Sequence, residues 1–290
     1  MIALETVLCP IDFSPATSRQ IDFAADLCQA FDAKLIIHHN RHVLGSGPNV
    51  GWMWNADHPG DTHASLEKKV QDCVACVPEG VSAEALLTEG PRSRLVLAAA
   101  EVVNADLVVL TAHGSRAEDH ASITDLLLED GRRAVLVLHE PAFDTRTPHF
   151  AAGTTESQIV LAPTDLTAGA GAALGVAFDL ARAQPIELHL LHLLPKGRSS
   201  RRHDTEAEAL TQLRALIPQE LEGRVTVHVE HDDPSHGIAR FADQIGASCI
   251  VMGEHTRPAR RRWFRHRISR AVLHDAHCPV WYVPGRGAAA

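Results

Sequence analysis

The amino-acid sequence predicts an α/β protein made of two doubly wound, five-stranded parallel sheets. Short apolar runs alternate with segments of helical periodicity along the 290 residues. The runs are almost continuously apolar, as strands are when helices cover both faces of a parallel sheet. The whole series of pieces then occurs a second time in the same order, which indicates one folding unit written twice.

The first half carries the clearest alternation, and its strands are predicted near Thr6–Pro10, Lys34–His38, Ser82–Thr88, Asp106–Thr111 and Ala134–His139. The helices between them are predicted at Ala16–Phe31, about Ala64–Cys76, Arg92–Val103 and Ser122–Asp130. Ile21, Ala24 and Cys28 fall on one face of the first helix, as a helical period requires. Strands that alternate with helices in this way lie parallel and are joined by right-handed crossovers.

The two halves correspond at several points along the chain. Asp12 matches Asp165, and each follows a proline by two positions. NADLVVLTAHG matches GASCIVMGEHT, with His113 opposite His255, and AVLVLHEP matches PVWYVPG near the end of each half. Because the matched pieces keep the same order, we interpret them as a duplication.

The duplication predicts two domains, at residues 1–140 and 158–290. The length of the chain is sufficient for two domains of ordinary size. The segment between them, 141–157, contains Pro, Gly and Thr without periodicity and is predicted to be a linker.

Composition excludes several classes of protein. No apolar run approaches the ~18–20 residues that a membrane span needs, and the N-terminus does not resemble a signal peptide. A formal net charge of −9 argues against a specific nucleic-acid partner or an anionic membrane surface. The six cysteines are thinly spread and suit a reducing compartment, so we expect a cytoplasmic protein.

An arginine-rich segment follows the strand-like run SCIVM near the end of the chain. Gly253 leads into seven arginines between Arg257 and Arg270. A strand that opens through glycine toward a helix is a common place for phosphate in α/β proteins. Charge-assisted hydrogen bonds from arginine favour an anion site, whereas Trp263 and Phe264 inside the run favour packing against protein, and both interpretations stay open.

Both halves resemble the universal stress protein family, whose fold is adenine nucleotide α hydrolase-like with flavodoxin-like layering. The matching pieces are the first strands (PIDFS and APTDLT), the second strands (LIIHH and LHLLH), the fourth strands (ADLVVLTAHG and SCIVMGEH) and the last strands (VLVL and CPVWYVP). The resemblance covers nearly the whole chain and is to the tandem members of the family. It implies that the two domains pair through their last strands, Ala134–His139 and Val280–Val283.

The resemblance also implies two degenerate nucleotide sites. In nucleotide-binding members the first-strand aspartate approaches the ribose, and a loop with spaced glycines wraps the phosphates, because glycine lets backbone N–H groups turn toward an anion. Here the first half keeps Gly114 and Ser122 of that loop, and the second half keeps Gly253. If ATP or AMP binds, the residues assigned to it are Asp165, Gly253, His255, Arg267, Asp12, Gly114 and Ser122.

The two aspartates also suit a structural role. Asp12 and Asp165 lie just before a predicted helix, where a carboxylate commonly caps the helix by accepting backbone N–H groups. Ser14 or Thr167 is expected to share that task. We favour the cap as the permanent role, with ribose contact as a second one.

A Cys-Val-Ala-Cys pair, Cys73 and Cys76, raises the alternative of a metal or thiol site. Zinc usually requires a second pair of ligands, which His58, His63, His38, His39 or His42 would have to supply. Cysteines three residues apart on a helix also pack simply as small apolar groups, and this interpretation is favoured.

The segment 42–63 is long for a connection between a strand and a helix, and it contains Trp52 and Trp54. It is interpreted either as a lid over the strand ends of the first half or, slightly in preference, as a loop folded onto the protein surface or a partner chain.

Together these features favour a non-enzymatic cytoplasmic stress-response or regulatory protein that acts through protein partners and forms a homodimer. No firmly held cofactor is expected. The first alternative is an ATP- or AMP-binding module that uses the second-half loop, with slow hydrolysis at most. The second is a metal- or thiol-based sensor centred on Cys73 and Cys76.

Overall fold

A computed structural model describes residues 4–41, 43–44, 54–55, 60–90, 92–112, 117–139, 158–167, 170–195, 206–253 and 267–285. The first half of the chain contains β1 (Thr6–Ile11), α1 (Thr17–Phe31), β2 (Lys34–Arg41), β3 (Val43–Leu44), β4 (Trp54–Asn55), α2 (His63–Ala75), β5 (Ala83–Glu89), α3 (Arg92–Val102), β6 (Leu107–Ala112), α4 (Ala117–Asp130) and β7 (Ala134–His139).

The second half repeats this order. It contains β8 (Gln158–Pro163), α5 (Gly171–Ala183), β9 (Ile186–Leu194), α6 (Glu206–Ala215), a 3₁₀ turn (Gln219–Leu221), β10 (Val225–His231), α7 (Pro234–Ile245), β11 (Cys249–Gly253), α8 (Arg267–Asp275) and β12 (Val280–Val283). The predicted α/β class is therefore confirmed.

The described residues divide into two compact units, and those up to Leu127 form the first. Its strands are ordered β6-β1-β2-β5 and are all parallel. Cys9 on β1 pairs with Ile37 on β2, which brings the carboxyl ends of these strands to one edge of the sheet. Of the segment 42–63, β3 and β4 form a short antiparallel pair, and the proposed lid otherwise lies largely outside the described residues.

The described residues from Leu128 onward form the second unit. Its strand order is β10-β9-β8-β11-β12-β7, and β7 runs antiparallel to β12 with Val137 opposite Val280. The five strands of the second half, β8 to β12, are thus all parallel, as predicted, and β7, which comes from the first half, adds a sixth strand of opposite direction. A strand edge left open exposes unpaired backbone groups, and this pairing, which the resemblance implies, covers them.

Local chemistry explains where the helices begin and end. α7 starts after Asp233, whose Oδ1 accepts a hydrogen bond from the Ser235 N–H at 2.8 Å. It ends at Gly246, which takes the left-handed conformation with φ of 66°. The largest departure from the predicted boundaries is α4, which begins at Ala117 and not at Ser122.

The core of each unit lies between the sheet and its helices. In the second unit the buried side chains come mainly from four strands and from α7 and α8, with Leu128 at the end of α4, and include Leu161, Leu191, Ile250, Tyr282, Ile238, Phe241 and Val272. Within the described part of the chain, no helix has the length and apolar character required to cross a membrane.

Candidate functional site

Each first strand ends in a tight turn built on the matched aspartate. Asp12 Oδ1 accepts a hydrogen bond from the Ser14 N–H at 2.9 Å, and Asp165 Oδ1 accepts one from the Thr167 N–H at 2.9 Å. The N-cap residues of α1 and α5 are Ala16 and Ala170, and neither makes a capping hydrogen bond through its side chain. The expected helix cap is therefore corrected: the carboxylates close a turn that precedes the helix.

The residue after each aspartate has an unusual backbone conformation. Phe13 has φ of 56° and Leu166 has φ of 60°, in the left-handed region that bulky side chains seldom occupy. Such strain costs about 1–2 kcal/mol per residue and persists where the surrounding structure requires it. The sequence gives no indication of it, because Phe and Leu carry no preference for this conformation.

A histidine on the second strand holds the same turn in both units. His39 Nδ1 donates to the carbonyl oxygen of Ile11 at 2.9 Å, and His192 Nδ1 donates to that of Thr164 at 2.9 Å. Sequence reasoning missed this role. The signal was available, since each histidine follows the matched aspartate by the same number of residues (39 − 12 = 27 and 192 − 165 = 27).

The second unit has a pocket of about 120 Å³ at the carboxyl ends of its strands. Asp165 and Gly253, two of the predicted ligand residues, both line it. The remaining wall is mostly apolar and includes Pro163, Leu191, Leu193, Ile238, Met252 and Ile268. Pockets of this kind take an apolar or aromatic group and orient it with few polar contacts.

The first unit has a smaller pocket, of about 50 Å³, at the same place in its own sheet. Asp12 lines it, together with Pro10, His38, His39, Asn40, Val96, Leu110, Thr111 and Ile123. Asp12 is the only one of the predicted ligand residues whose side chain is described in this unit.

The two pockets differ on the second strand of each sheet. His38 and Asn40 of the first unit stand where the second unit has Leu191 and Leu193. His38 Nε2 lies 2.8 Å from Thr88 Oγ1, and Asn40 Nδ2 donates to a backbone carbonyl at 3.4 Å. Burial and, to a smaller extent, neighbouring His39 lower the pKa of the His38 imidazole to about 4, so His38 is neutral at physiological pH.

The other predicted ligand residues are placed as follows. Gly114 and His255 lie outside the described residues. Arg267 is the first residue of α8, and its side chain is not among those described. Ser122 lies inside α4, beyond the first four residues, so its N–H is committed to the helix. The nucleotide roles of these residues stay predictions.

The two cysteines of the alternative site lie at the end of α2. Cys73 is half-buried and Cys76 is exposed, and burial raises the pKa of the Cys73 thiol, with Cys76 and Asp72 adding to the rise. His63 Nδ1 lies 2.8 Å from Glu89 Oε1. No group of three or more His, Cys, Asp or Glu side chains suited to a metal is found in the described ranges, and His42 and His58 lie outside them.

Comparison with known proteins identifies the relatives of this architecture. The model of the universal stress protein family matches residues 3–139 and 156–284. A universal stress protein from Archaeoglobus fulgidus is 18% identical, with 97% of each chain covered and a TM-score of 0.65. A functionally unknown protein from Pseudomonas aeruginosa PAO1 is 17% identical, covering 97% of this chain and 92% of its own, with a TM-score of 0.63. No curated protein matches the chain.

Proposed function

Because the chain belongs to the universal stress protein family, we propose that it is a non-enzymatic stress-response protein that acts through protein partners and whose second unit takes up an adenine nucleotide. The observation that carries the nucleotide part is the apolar pocket beside Asp165 and Gly253. In open α/β sheets, ligands bind at the carboxyl ends of the strands, where this pocket lies.

The dimensions of the pocket favour the base as the buried part of the ligand. Its volume of about 120 Å³ is well below the ~300–1,000 Å³ of pockets that enclose a whole drug-sized ligand. Leu191, Ile238 and Met252 supply an apolar wall for a flat ring. The ribose would then lie toward Asp165, as the resemblance implies, with the phosphates toward Gly253 and the start of α8.

The hydrogen bonds around the strand ends support a non-enzymatic role. Asp165 Oδ1 is engaged by the Thr167 backbone N–H and by the Thr167 hydroxyl at 2.6 Å. His192 uses Nδ1 to hold the Thr164 carbonyl. These side chains, which are the chemical types that serve as acids and bases, therefore have structural tasks.

The partner, the homodimer and the cytoplasmic location stay predictions. Among the described residues, the large apolar side chains that are exposed are Val102 and Leu216. A protein partner that binds the described residues would therefore contact a mainly polar surface. For the thiol or metal alternative, the raised pKa of Cys73 disfavours the reactive thiolate.

Isothermal titration calorimetry with ATP, ADP and AMP tests the nucleotide part. Ile238→Trp is expected to fill the second pocket and abolish binding, whereas Val96→Trp, at the corresponding position of the first unit, is expected to leave it intact. Absence of binding by the unmodified chain, or binding that survives Ile238→Trp, would contradict this assignment. Steady phosphate release from bound ATP would contradict the non-enzymatic role.

A further inference from the structure

Two histidines on neighbouring strands of the second unit are hydrogen-bonded to each other. His189 lies on β9 and His228 on β10, and Nε2 of His228 is 3.0 Å from Nδ1 of His189. Their ring centroids are 4.9 Å apart and the ring planes differ by 20°. His189 is buried, and the ring of Phe241 on α7 packs against His228 at 4.9 Å. The pair is therefore held where β9, β10 and α7 meet.

The hydrogen bond between the two rings sets a limit on how many protons the pair can carry. Whichever tautomers are present, the two facing nitrogens share one hydrogen, which one of them donates and the other accepts. One added proton is compatible with this bond, because an imidazolium can donate to a neutral imidazole. When both rings are imidazolium, every ring nitrogen is a donor and no acceptor remains between them. The doubly protonated pair must therefore separate.

The charged groups around the pair come from both strands. Glu187 Oε1 on β9 lies 3.0 Å from His189 Nε2, so its carboxylate offers a counter-charge to one imidazolium. Burial and neighbouring His189 lower the pKa of the His228 imidazole, whereas Glu230 on β10 acts to raise it. The first proton thus finds a carboxylate nearby, and the second is opposed by burial and by the charge already present.

The helix that packs against the pair contributes an uncharged contact, Phe241. The charged residues beside it on α7 are engaged elsewhere. Arg240 pairs with Asp232, and Asp243 Oδ2 lies 2.8 Å from Nδ1 of His277.

The strand that carries His228 is the outermost one at its end of the described sheet. β10 pairs with β9 along one side, from Val225 to His231. A strand at a sheet edge has its backbone hydrogen bonds on one side only, so side-chain contacts with its neighbour contribute more to keeping it in place.

The duplication shows what the same positions look like without histidine. His189 corresponds to Ile36 by the spacing of the matched aspartates (189 − 153 = 36), and the strand register sets His228 against Leu86. The outer strand of the first unit, β5, is therefore held at this point by residues that do not titrate. The titrating pair is a feature of the second unit.

We propose that His189 and His228 form a proton-operated latch, which holds β10 against β9 at neutral pH and releases β10 when both rings are protonated. Release uncovers Phe241 and the edge of β9, so acidification presents a surface that the neutral protein keeps covered. The latch is independent of the nucleotide proposed for this unit, and failure of nucleotide binding leaves it unaffected.

Hydrogen–deuterium exchange of the full chain, followed by mass spectrometry of its peptides, tests the latch. Peptides that cover β10 are compared with peptides that cover β5, and each rate is divided by that of the unstructured peptide at the same pH. As the pH falls from about 7 to about 5, the opening of β10 should increase, by up to about tenfold per pH unit if opening takes up one proton. The opening of β5 should change much less.

Two variants separate the latch from a merely structural pair. His189→Ile combined with His228→Leu installs the residues of the first unit, which this fold already accommodates, and should make the exchange of β10 independent of pH. His228→Gln keeps an N–H donor for His189 but does not titrate, so it should retain protection at neutral pH and lose the response to acid. The proposal is overturned if β10 keeps its protection at about pH 5 or if β5 opens equally. It is also overturned if His228→Gln responds to acid as the unmodified chain does.

Discussion

His139 Nε2 donates a hydrogen bond to the carbonyl oxygen of Leu273 over 2.6 Å, joining β7 of the first half of the chain to α8 of the second. His139 is buried, and burial lowers the pKa of its imidazole. At neutral pH it is therefore an uncharged donor to a carbonyl near the end of α8. Since α8 also provides Ile268 and Ser269 to the second pocket, this hydrogen bond connects the site to β7.

Replacing His139 should loosen that connection. His139→Ala removes the donor to Leu273 and leaves a cavity, so the free energy of unfolding should fall by about 1–3 kcal/mol. Urea denaturation followed by circular dichroism measures it. His277→Ala, which removes an exposed partner of Asp243, is the control and should change stability by less than about 1 kcal/mol. Equal stabilities for the two variants would contradict the structural role of His139.

Two glycines inside helices should respond oppositely to alanine. At Gly237 on α7, an added Cβ would lie 2.9 Å from Asp232 Cβ, so Gly237→Ala should destabilise the protein by about 1–3 kcal/mol. At Gly175 on α5 an added Cβ meets nothing within 4 Å, so Gly175→Ala should stabilise it by about 0.5–1 kcal/mol. Thermal unfolding of both variants checks the pair, and a stable Gly237→Ala protein would show that α7 does not approach Asp232 this closely.

The unfolding free energy should decrease as the pH falls from 6.5 to about 4. His38 has a pKa of about 4 in the folded protein, against 6.5 ordinarily, so within this window the unfolded chain binds a proton that the folded chain does not. The lowered pKa values of His139 and His228 act in the same direction. Chemical denaturation at stepped pH measures the slope, which should be shallower in His38→Leu. An unfolding free energy that is flat across the window would refute the buried neutral state of His38.

His38 and Asn40 should cost stability, because Nδ1 of His38 and Oδ1 of Asn40 are buried and have no hydrogen-bond partner among the described residues. Replacing His38 and Asn40 together by leucine removes two unsatisfied buried atoms and should stabilise the ligand-free protein by about 1–3 kcal/mol, even after the loss of the contact with Thr88. The reciprocal change, Leu191→His with Leu193→Asn, should destabilise it. Differential scanning calorimetry provides the comparison. A destabilised double leucine variant would mean that both polar groups are satisfied in the native protein.

The order and the approximate bounds of the strands could be predicted from the sequence, because the strands are strongly apolar. The predicted strand at Ala134–His139 agrees with the observed one, and β1 differs by one residue at its end. The start of α4 was misplaced because the resemblance suggested a loop there. Ser115 followed three residues later by Glu118 is the sequence pattern of a capping box, and this signal of a helix start was overlooked. Helix ends depend on tertiary contacts as well as on local residues.

Fewer features of the candidate site could be predicted from the sequence. Asp165 and Gly253 were named and do line a pocket. Asn40 was not named, and His38 was named only as a possible zinc ligand, because both look like ordinary strand residues until their neighbours are known. The left-handed turn at Phe13 also depends on its surroundings, since a phenylalanine has no intrinsic reason to adopt it. The hydrogen bonding and backbone conformation of these residues depend on which groups surround them in the folded protein. A single sequence indicates that a residue is buried but not which groups surround it.

The antiparallel pairing of β7 with β12 has a consequence for how the tandem arrangement works. If the polypeptide were severed between its halves, β12 would lose a covalently tethered neighbour and would have to recruit one from solution. Pairing of the two strands would then depend on the protein concentration. In the intact chain the covalent connection supplies a high effective concentration, which dilution does not change. Joining both halves in one chain therefore keeps this strand contact independent of protein concentration.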